Sequence, residues 1–133
     1  APAPPAAAPA GAYSAIITAR VGGAWGVFWE KATNNLFFYN GSAEQGGTLV
    51  NATWHHIACS RVAGFHQGYI DGTRVWNNDK TGINYNSGRL LSIAGDFDNS
   101  FWTGHICSVR ITKGVGRYNG ATITVPTLPF PTS

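Results

Sequence analysis

One polar loop carries the side chains best suited to holding a ligand. The segment GDFDNS, residues 95–100, places Asp96, Asp98 and Asn99 close together. Carboxylate and amide oxygens are the hard ligands that Ca²⁺ takes in proteins. The remaining ligands of a calcium loop are missing, so we favour a polar turn whose Asp and Asn side chains bond their own backbone. No metal or cofactor is therefore predicted, Ca²⁺ stays the alternative, and the three side chains remain candidate ligand-binding residues.

Aromatic side chains are the second source of candidate binding chemistry, because an exposed indole can stack on the face of a sugar ring. The candidates among the five Trp residues are Trp25, Trp29, Trp76 and Trp102. In a domain of this size most Trp side chains fill the core, so core packing is the first expectation for each of them. Trp102 stands beside the polar loop, and we select it as the candidate ligand platform.

The histidines and cysteines do not form a metal-binding pattern. His55 and His56 are adjacent on a predicted strand, so they point to opposite faces and cannot ligate one metal together. We expect one to be packed and the other exposed. Cys59 and Cys107 each lie inside an apolar run, without the Cys or His spacing of a zinc site. They are either two free thiols or one disulfide, and the sequence leaves both open.

Composition limits the classes of partner. The chain has 133 residues and a net charge of +3, and only 11% of its residues are charged, whereas a soluble domain usually has about a quarter. Such sparse charge suits a protein packed among neighbours. The densest basic group is Arg110, Lys113 and Arg117, which we interpret as a solvated strand end and loop rather than a phosphate site. We predict no nucleic-acid partner, no membrane span and no signal peptide.

Short apolar runs separated by turn signals position these residues. The predicted strands share β-branched and aromatic residues, and they cover 15–20, 25–30, 36–39, 54–61, 65–70, 73–76, 90–94 and 105–111, with a short strand possible at 48–50. Residues 42–47 and 77–88 are expected to be loops. Asp71-Gly72 is the preferred pair for a two-residue type I′ hairpin. No run has helical periodicity, so the pattern predicts an all-β sandwich or barrel.

Three parts of the chain differ in composition. Residues 1–12, APAPPAAAPAGA, predict an extended Ala/Pro-rich arm that cannot pack a core of its own. Residues 13–118 hold the predicted strands and form the expected sandwich. Residues 119–133 are rich in Pro and lack periodicity, so they are expected to form a tail pinned to a surface by its apolar side chains.

Three stretches together resemble one known superfamily. These are WHHIACSR (54–61), GYIDGTRV (68–75) and FWTGHICSVRITKGVGRY (101–118). As a set they resemble concanavalin A-like, laminin-G-type lectin domains, over roughly residues 25–118. The resemblance implies an antiparallel jelly-roll β-sandwich, with Trp54 buried in a core strand. Two departures stand out: Cys107 occupies a position where this superfamily usually has Asp, and the opening strands look shortened.

The same superfamily includes glycoside hydrolases, and these need two carboxylates about 5–10 Å apart across a sugar-binding cleft. The chain has six acidic residues. Asp71 is used by the hairpin turn, Glu30 and Glu44 are isolated in sequence, and only Asp96 and Asp98 are close together, in a loop. We therefore predict no catalytic residues and no enzymatic activity, with a hydrolase as the least favoured alternative.

The ending RITKGVGRY, followed by VPTLPFP, is similar to a version of the domain found in bacteriophage structural proteins. That similarity implies a tail, fibre or capsid-surface component, located on the outside of the particle. The leading hypothesis is therefore a structural or decoration protein that assembles with copies of itself or with other virion proteins, through its sandwich, arm and tail. The arm or a neighbouring chain would then cover the sheet edge left by the shortened start. The alternative hypothesis is a carbohydrate-binding module that attaches to cell-surface glycans.

Overall fold

The computed structural model describes residues 13–19, 25–40, 43–83, 91–95, 102 and 104–127. Within these residues the chain forms eight strands and no helix: β1 (Tyr13–Ala19), β2 (Trp25–Glu30), β3 (Leu36–Tyr39), β4 (Ala43–Gly46), β5 (Ile57–Val62), β6 (Phe65–Ile70), β7 (Thr73–Asp79) and β8 (Ser92–Ile93). They build two antiparallel sheets, with strand orders β4-β3-β2-β1-β8 and β5-β6-β7. The predicted all-β sandwich is confirmed. Across the described ranges, no helix has the length and apolar character needed to span a membrane.

The space between the two sheets holds the main core. It is built from large apolar side chains of both sheets and of the segments between strands, namely Ile16, Val27, Trp29, Leu36, Phe38, Leu49, Ile70, Trp76 and Trp102. Burying such side chains supplies the main driving force for folding, about 1.5–3 kcal/mol each. The two sheets therefore depend on each other for stability.

The opposite face of the larger sheet is also buried at its centre. Ala15, Phe28 and Phe37 are direct cross-strand neighbours on β1, β2 and β3, and Tyr13 and Tyr39 pack against them. Successive side chains on a strand point to opposite faces, so these residues lie on the face away from the main core. The central strand β2 is thus covered on both faces, which explains its nearly continuous apolar sequence.

The hairpin at Asp71-Gly72 forms as predicted. Asp71 has φ +50° and Gly72 has φ +87°, the two left-handed residues that a type I′ turn requires. The β5–β6 hairpin turns through Ala63 and Gly64 with the same pair of signs, φ +52° and +86°. Both hairpins in the smaller sheet therefore use turns whose twist matches that of the strands.

Four of the segment predictions are wrong. Residues 43–46, expected to be a loop, form β4, while residues 48–50 form no strand. β7 continues to Asp79, into the region expected to be a loop. The run 105–111 is not a strand, because Ser108 in its middle adopts φ +56° and this left-handed residue interrupts the extended backbone.

β4 meets β7 at the edge where the two sheets join. Glu44 on β4 was expected to be isolated, but it is buried and lies 2.5 Å (Oε2) from His66 Nδ1 on β6. Asn78 on β7 donates a second hydrogen bond to Glu44 Oε1 at 2.9 Å. Since Glu44 belongs to the larger sheet and its partners to the smaller one, this contact ties the sheets together along one side of the sandwich.

Residues 119–123 attach to the outer face and end of the smaller sheet. Asn119 accepts a hydrogen bond from Gln67 Nε2 at 2.9 Å. Backbone bonds run from Arg74 N to Ala121 O at 3.0 Å and from Ile123 N to Gly72 O at 2.8 Å. This stretch of the predicted tail is therefore held by backbone as well as side-chain contacts.

Candidate functional site

A cleft opens between the two sheets. Its volume is about 1020 Å³, and its walls come from β1 and β2, from β5 with the residues that precede it, and from residues 106–118. This volume lies at the upper end of the range for ligand-binding clefts, which is about 300–1,000 Å³. The cleft is therefore large enough for a ligand of several rings.

Trp54 is the exposed aromatic side chain of this cleft. It is 55% exposed, and its ring centroid lies 6.4 Å from that of His105 at an interplanar angle of 46°. The prediction that Trp54 is buried was wrong, because β5 begins at Ile57 and the strand alternation does not extend back to residue 54. An exposed indole in a concave surface is suited to stacking on a flat apolar ligand face.

Trp102, the ligand platform selected from the sequence, lies in the main core. It is 8% exposed, and its Nε1 has no hydrogen-bond partner among the described residues. The exposed position assumed for it was wrong, since its backbone N bonds Ala94 O at 3.0 Å and directs the ring inward. Asp96, Asp98 and Asn99 lie outside the described residues, so their ligand-binding role stays a prediction.

His55 stabilises the wall of the cleft next to Trp54. Its Nε2 accepts a hydrogen bond from Val50 N at 3.0 Å, so Nδ1 carries the proton and donates to Asp71 Oδ2 at 2.6 Å. The other Asp71 oxygen, Oδ1, accepts from His56 N at 2.8 Å. Asp71 therefore holds both the His55 side chain and the His56 backbone in place. At the cleft, 51% of the Asp71 side chain remains exposed.

His55 is buried, as expected for one of the two histidines, but His56 is half-buried rather than exposed, and both residues precede β5, which begins at Ile57. The His56 ring stands edge-on to Tyr118 at 6.3 Å, and its buried Nδ1 has no hydrogen-bond partner in the described part of the chain. Burial, together with the nearby Arg110 guanidinium, lowers the pKa of His56 below its usual value. The ring is therefore neutral at pH 7, with one nitrogen able to accept and the other to donate.

Positive charge dominates the described lining of the cleft. Arg61, Arg110, Lys113 and Arg117 line it together with a single carboxylate, Asp71. The Arg61 guanidinium donates to the backbone oxygens of Ile83 and Lys80 and so supports the wall. The Arg110–Arg117 group was interpreted as a solvated strand end and loop, and the structure brings it to the wall of the cleft.

The four carboxylates in the described residues each have a separate set of partners. Glu30 accepts from the Thr33 hydroxyl, Glu44 contacts His66 and Asn78, and Asp71 contacts His55. Asp79 accepts from the Thr81 hydroxyl and backbone, and these hydrogen bonds hold its pKa below the usual value. Across the described ranges, no group of three or more His, Cys, Asp or Glu side chains is arranged to hold a metal ion.

Comparison with known proteins places the chain in a family. Residues 5–115 match the family described as the concanavalin A-like lectin/glucanases superfamily, and the chain belongs to it. No curated protein and no solved structure matches the chain. The predicted superfamily is thus confirmed, and its name covers both sugar-binding and sugar-cleaving proteins.

The cleft itself was not predicted from the sequence. Trp54 and His56 were recognised as part of a family motif, but neither was selected as a binding residue. The sequence signal for the cleft was the WHH run immediately before an apolar strand. Successive side chains of an extended chain point to opposite faces, so three consecutive aromatic or imidazole side chains cannot all lie on one buried face. The basic residues at 110–117 lie about fifty positions further along the chain, and only folding brings them to the same cleft.

Proposed function

We propose that this protein is a non-enzymatic carbohydrate-binding module that holds a glycan in the cleft between its sheets. The observation that carries the proposal is the exposed indole of Trp54 in a concave, aromatic-lined surface. The apolar face of a pyranose ring packs well on an indole, so a rigid aromatic side chain in the cleft is suited to holding a sugar. Membership of the superfamily supports the same class of ligand.

Asp71 is the polar group of the cleft that suits a sugar hydroxyl. It lines the cleft together with Trp54, and 51% of its side chain is exposed. Its hydrogen bonds with His55 Nδ1 and the His56 backbone fix its position. A carboxylate has lone pairs for about four hydrogen bonds, so Asp71 can accept a further one from a sugar hydroxyl.

A binding role rather than hydrolysis is supported by the carboxylates. Glycoside hydrolysis needs one carboxylate free to act as acid and a second across the scissile bond. Of the described carboxylates only Asp71 lines the cleft, and it is bonded to His55 and to the His56 backbone. We therefore propose that a bound glycan is held without being cleaved.

The proposal is tested by a glycan array followed by titration calorimetry with the best ligand. Trp54→Ala is expected to weaken binding about tenfold or more, the loss typical of a central aromatic contact. Phe65→Ala is the matched control, because Phe65 is also an exposed aromatic, at 42%, but lies outside the cleft. Equal affinity of the Trp54→Ala and wild-type proteins, or no glycan binding at all, would contradict the proposal.

A second candidate function is a structural component on the surface of a virus particle, such as a bacteriophage tail, fibre or capsid. It is favoured by the resemblance of residues 110–118 to such proteins and by the exposed apolar side chains of the C-terminal third, Val109, Ile111, Val115 and Val125. Apolar side chains exposed together suit contacts with other subunits. Light scattering at micromolar concentration tests assembly, and a monodisperse monomer would count against this function. The two candidate functions are compatible, because a particle protein can also bind glycans.

A further inference from the structure

The cleft has a charge pattern that restricts its ligand more closely than aromatic stacking does. Four of its described lining residues carry a guanidinium or ammonium group, and one carries a carboxylate. That carboxylate, Asp71, is already hydrogen-bonded to His55 and to the His56 backbone. A cleft lined mainly by one sign of charge attracts ligands of the opposite sign.

Three of the cations lie on one short stretch of chain. Arg110, Lys113 and Arg117 belong to residues 106–118, which form one wall of the cleft. Lys113 and Arg117 are exposed, so an incoming ligand reaches them directly. The Nε of Arg117 donates to the Thr112 hydroxyl at 2.6 Å, and this neutral acceptor leaves the positive charge in place. Arg110 donates to the Tyr118 hydroxyl at 3.1 Å.

The hydrogen-bond partners of the arginines keep their planes oriented. A guanidinium presents several N–H donors in a flat fork that matches carboxylate and sulfate oxygens, and an ammonium adds a point charge. The Arg117 and Arg110 side chains are each held by a neighbouring hydroxyl, so less side-chain freedom is lost when an anion binds. This arrangement fits an anionic group better than it fits a neutral hydroxyl.

We infer that the cleft selects an acidic saccharide, a sugar bearing a carboxylate or sulfate group. Its ring packs on Trp54, and its anionic group contacts the cations of residues 110–117. The inference rests on the proposed carbohydrate-binding function and adds the class of sugar to it. Only 11% of the residues of the whole chain are charged, yet four of its nine Lys and Arg residues are among the described lining of the cleft.

The test compares matched sugars on the intact protein by titration calorimetry. The probes are an oligogalacturonate, its methyl ester and a sulfated galactan of similar length, each at low and at high salt. The acid or the sulfate is expected to bind about tenfold more tightly than the ester at low salt, and the preference should shrink as salt screens the charges. Preference for one anion over the other identifies which group the cleft takes.

Substitutions locate the effect. Lys113→Gln and Arg117→Gln should each reduce the preference for the anionic sugar about two- to fivefold, as expected for exposed charge pairs. Lys31→Gln removes the same charge from a turn outside the cleft and should leave the preference unchanged. Far-ultraviolet circular dichroism and melting curves of the variants confirm that they are folded.

The outcomes separate this inference from the proposed function. Equal binding of the acid and its ester, with binding lost in Trp54→Ala, overturns the acidic-sugar inference and leaves the carbohydrate-binding function standing. An anionic preference that Lys31→Gln weakens as much as Lys113→Gln also overturns it, because the charge effect is then not local to the cleft. Failure of every sugar to bind overturns both.

Discussion

His66 and Glu44 place two ionisable side chains where water does not reach. Their side chains are 3% and 0% exposed, and Asn78 satisfies the second carboxylate oxygen. Trp76 Nε1 also contacts His66 Nδ1, at 3.1 Å, so the pair is the centre of a buried polar network in which each member has a further partner. The network connects β4, whose sequence is AEQG, to the smaller sheet.

Glu44→Ala is expected to destabilise the protein by about 3–5 kcal/mol, because it leaves His66 and Asn78 without their shared partner. Urea unfolding followed by tryptophan fluorescence measures the change. Gln45→Ala, at the next position on the same strand but exposed, is the control and should change stability by less than about 0.5 kcal/mol. A similar small loss for both variants would show that the pair does not hold the sheets together.

Residue roles were predicted only where the local sequence determines them. The role of Asp71 in its turn follows from the Asp-Gly pair, whereas strand alternation does not determine the environments of His55 and His56, because both precede β5. Trp54 was expected to be buried and is exposed, and Trp102 was expected to be exposed and is buried. Burial depends on where a strand begins and on which other segment packs over it, and neither is set by the local sequence. The Glu44 partner lies 22 residues away, and no local pattern reports such a contact.

At the scale of elements, the smaller sheet depends on its second hairpin. Gly72 sits in the β6–β7 turn with φ +87°, and a Cβ added there would lie 2.8 Å from Ile123 O. Gly82 has the same φ of +87° with no atom within 4 Å of the corresponding Cβ. Substitutions at the two glycines therefore separate two contributions to the free energy of unfolding: the cost of a side chain on a left-handed backbone, and the cost of crowding the segment 119–123.

Gly82→Ala is expected to cost about 1 kcal/mol, the penalty for a left-handed residue with a side chain. Gly72→Ala should cost at least about 1 kcal/mol more, because the new methyl group must displace Ile123 or the turn. Chemical denaturation of the two variants measures both values. Equal losses would mean that residues 119–123 yield freely and are not an integral part of the sheet.

Strands were predictable where β-branched and aromatic residues form a run, as in β2, β3 and β6, whose bounds were predicted correctly. β4, with the sequence AEQG, has no such residues and forms because its partners β3 and β7 are already in place. The apolar run 105–111 has the composition of a strand, yet Ser108 takes a left-handed conformation within it. Composition therefore indicates strand tendency, and the sheets determine which segments pair.

At the scale of the whole molecule, the two thiols report on folding. Cys59 and Cys107 do not form a disulfide with each other, one of the two alternatives that the sequence left open. Burial raises the pKa of the Cys59 thiol to about 12, and only the thiolate reacts with disulfide reagents. Cys107 is exposed and has no such barrier of burial.

At pH 8 we expect Cys107 to react promptly with a chromogenic disulfide reagent, while Cys59, half-buried in the cleft wall and with a raised pKa, reacts more slowly until denaturant unfolds the domain. Cys107→Ser should remove the prompt phase and leave the slow one unchanged. The two phases are read from absorbance against time at several denaturant concentrations. Two prompt thiols in the native protein would show that the core around Cys59 opens readily, and none would indicate a disulfide.

The sandwich is closed along the β4–β7 edge and open at the cleft, where β1 and β2 face β5. A ligand in the cleft therefore contacts both sheets. Ligand binding and folding are then thermodynamically linked: a ligand at a hundred times its Kd adds about 2.7 kcal/mol to the free energy of unfolding. Because a bound ligand raises the melting temperature of the protein, thermal melting can be used to screen a library of sugars for the natural ligand.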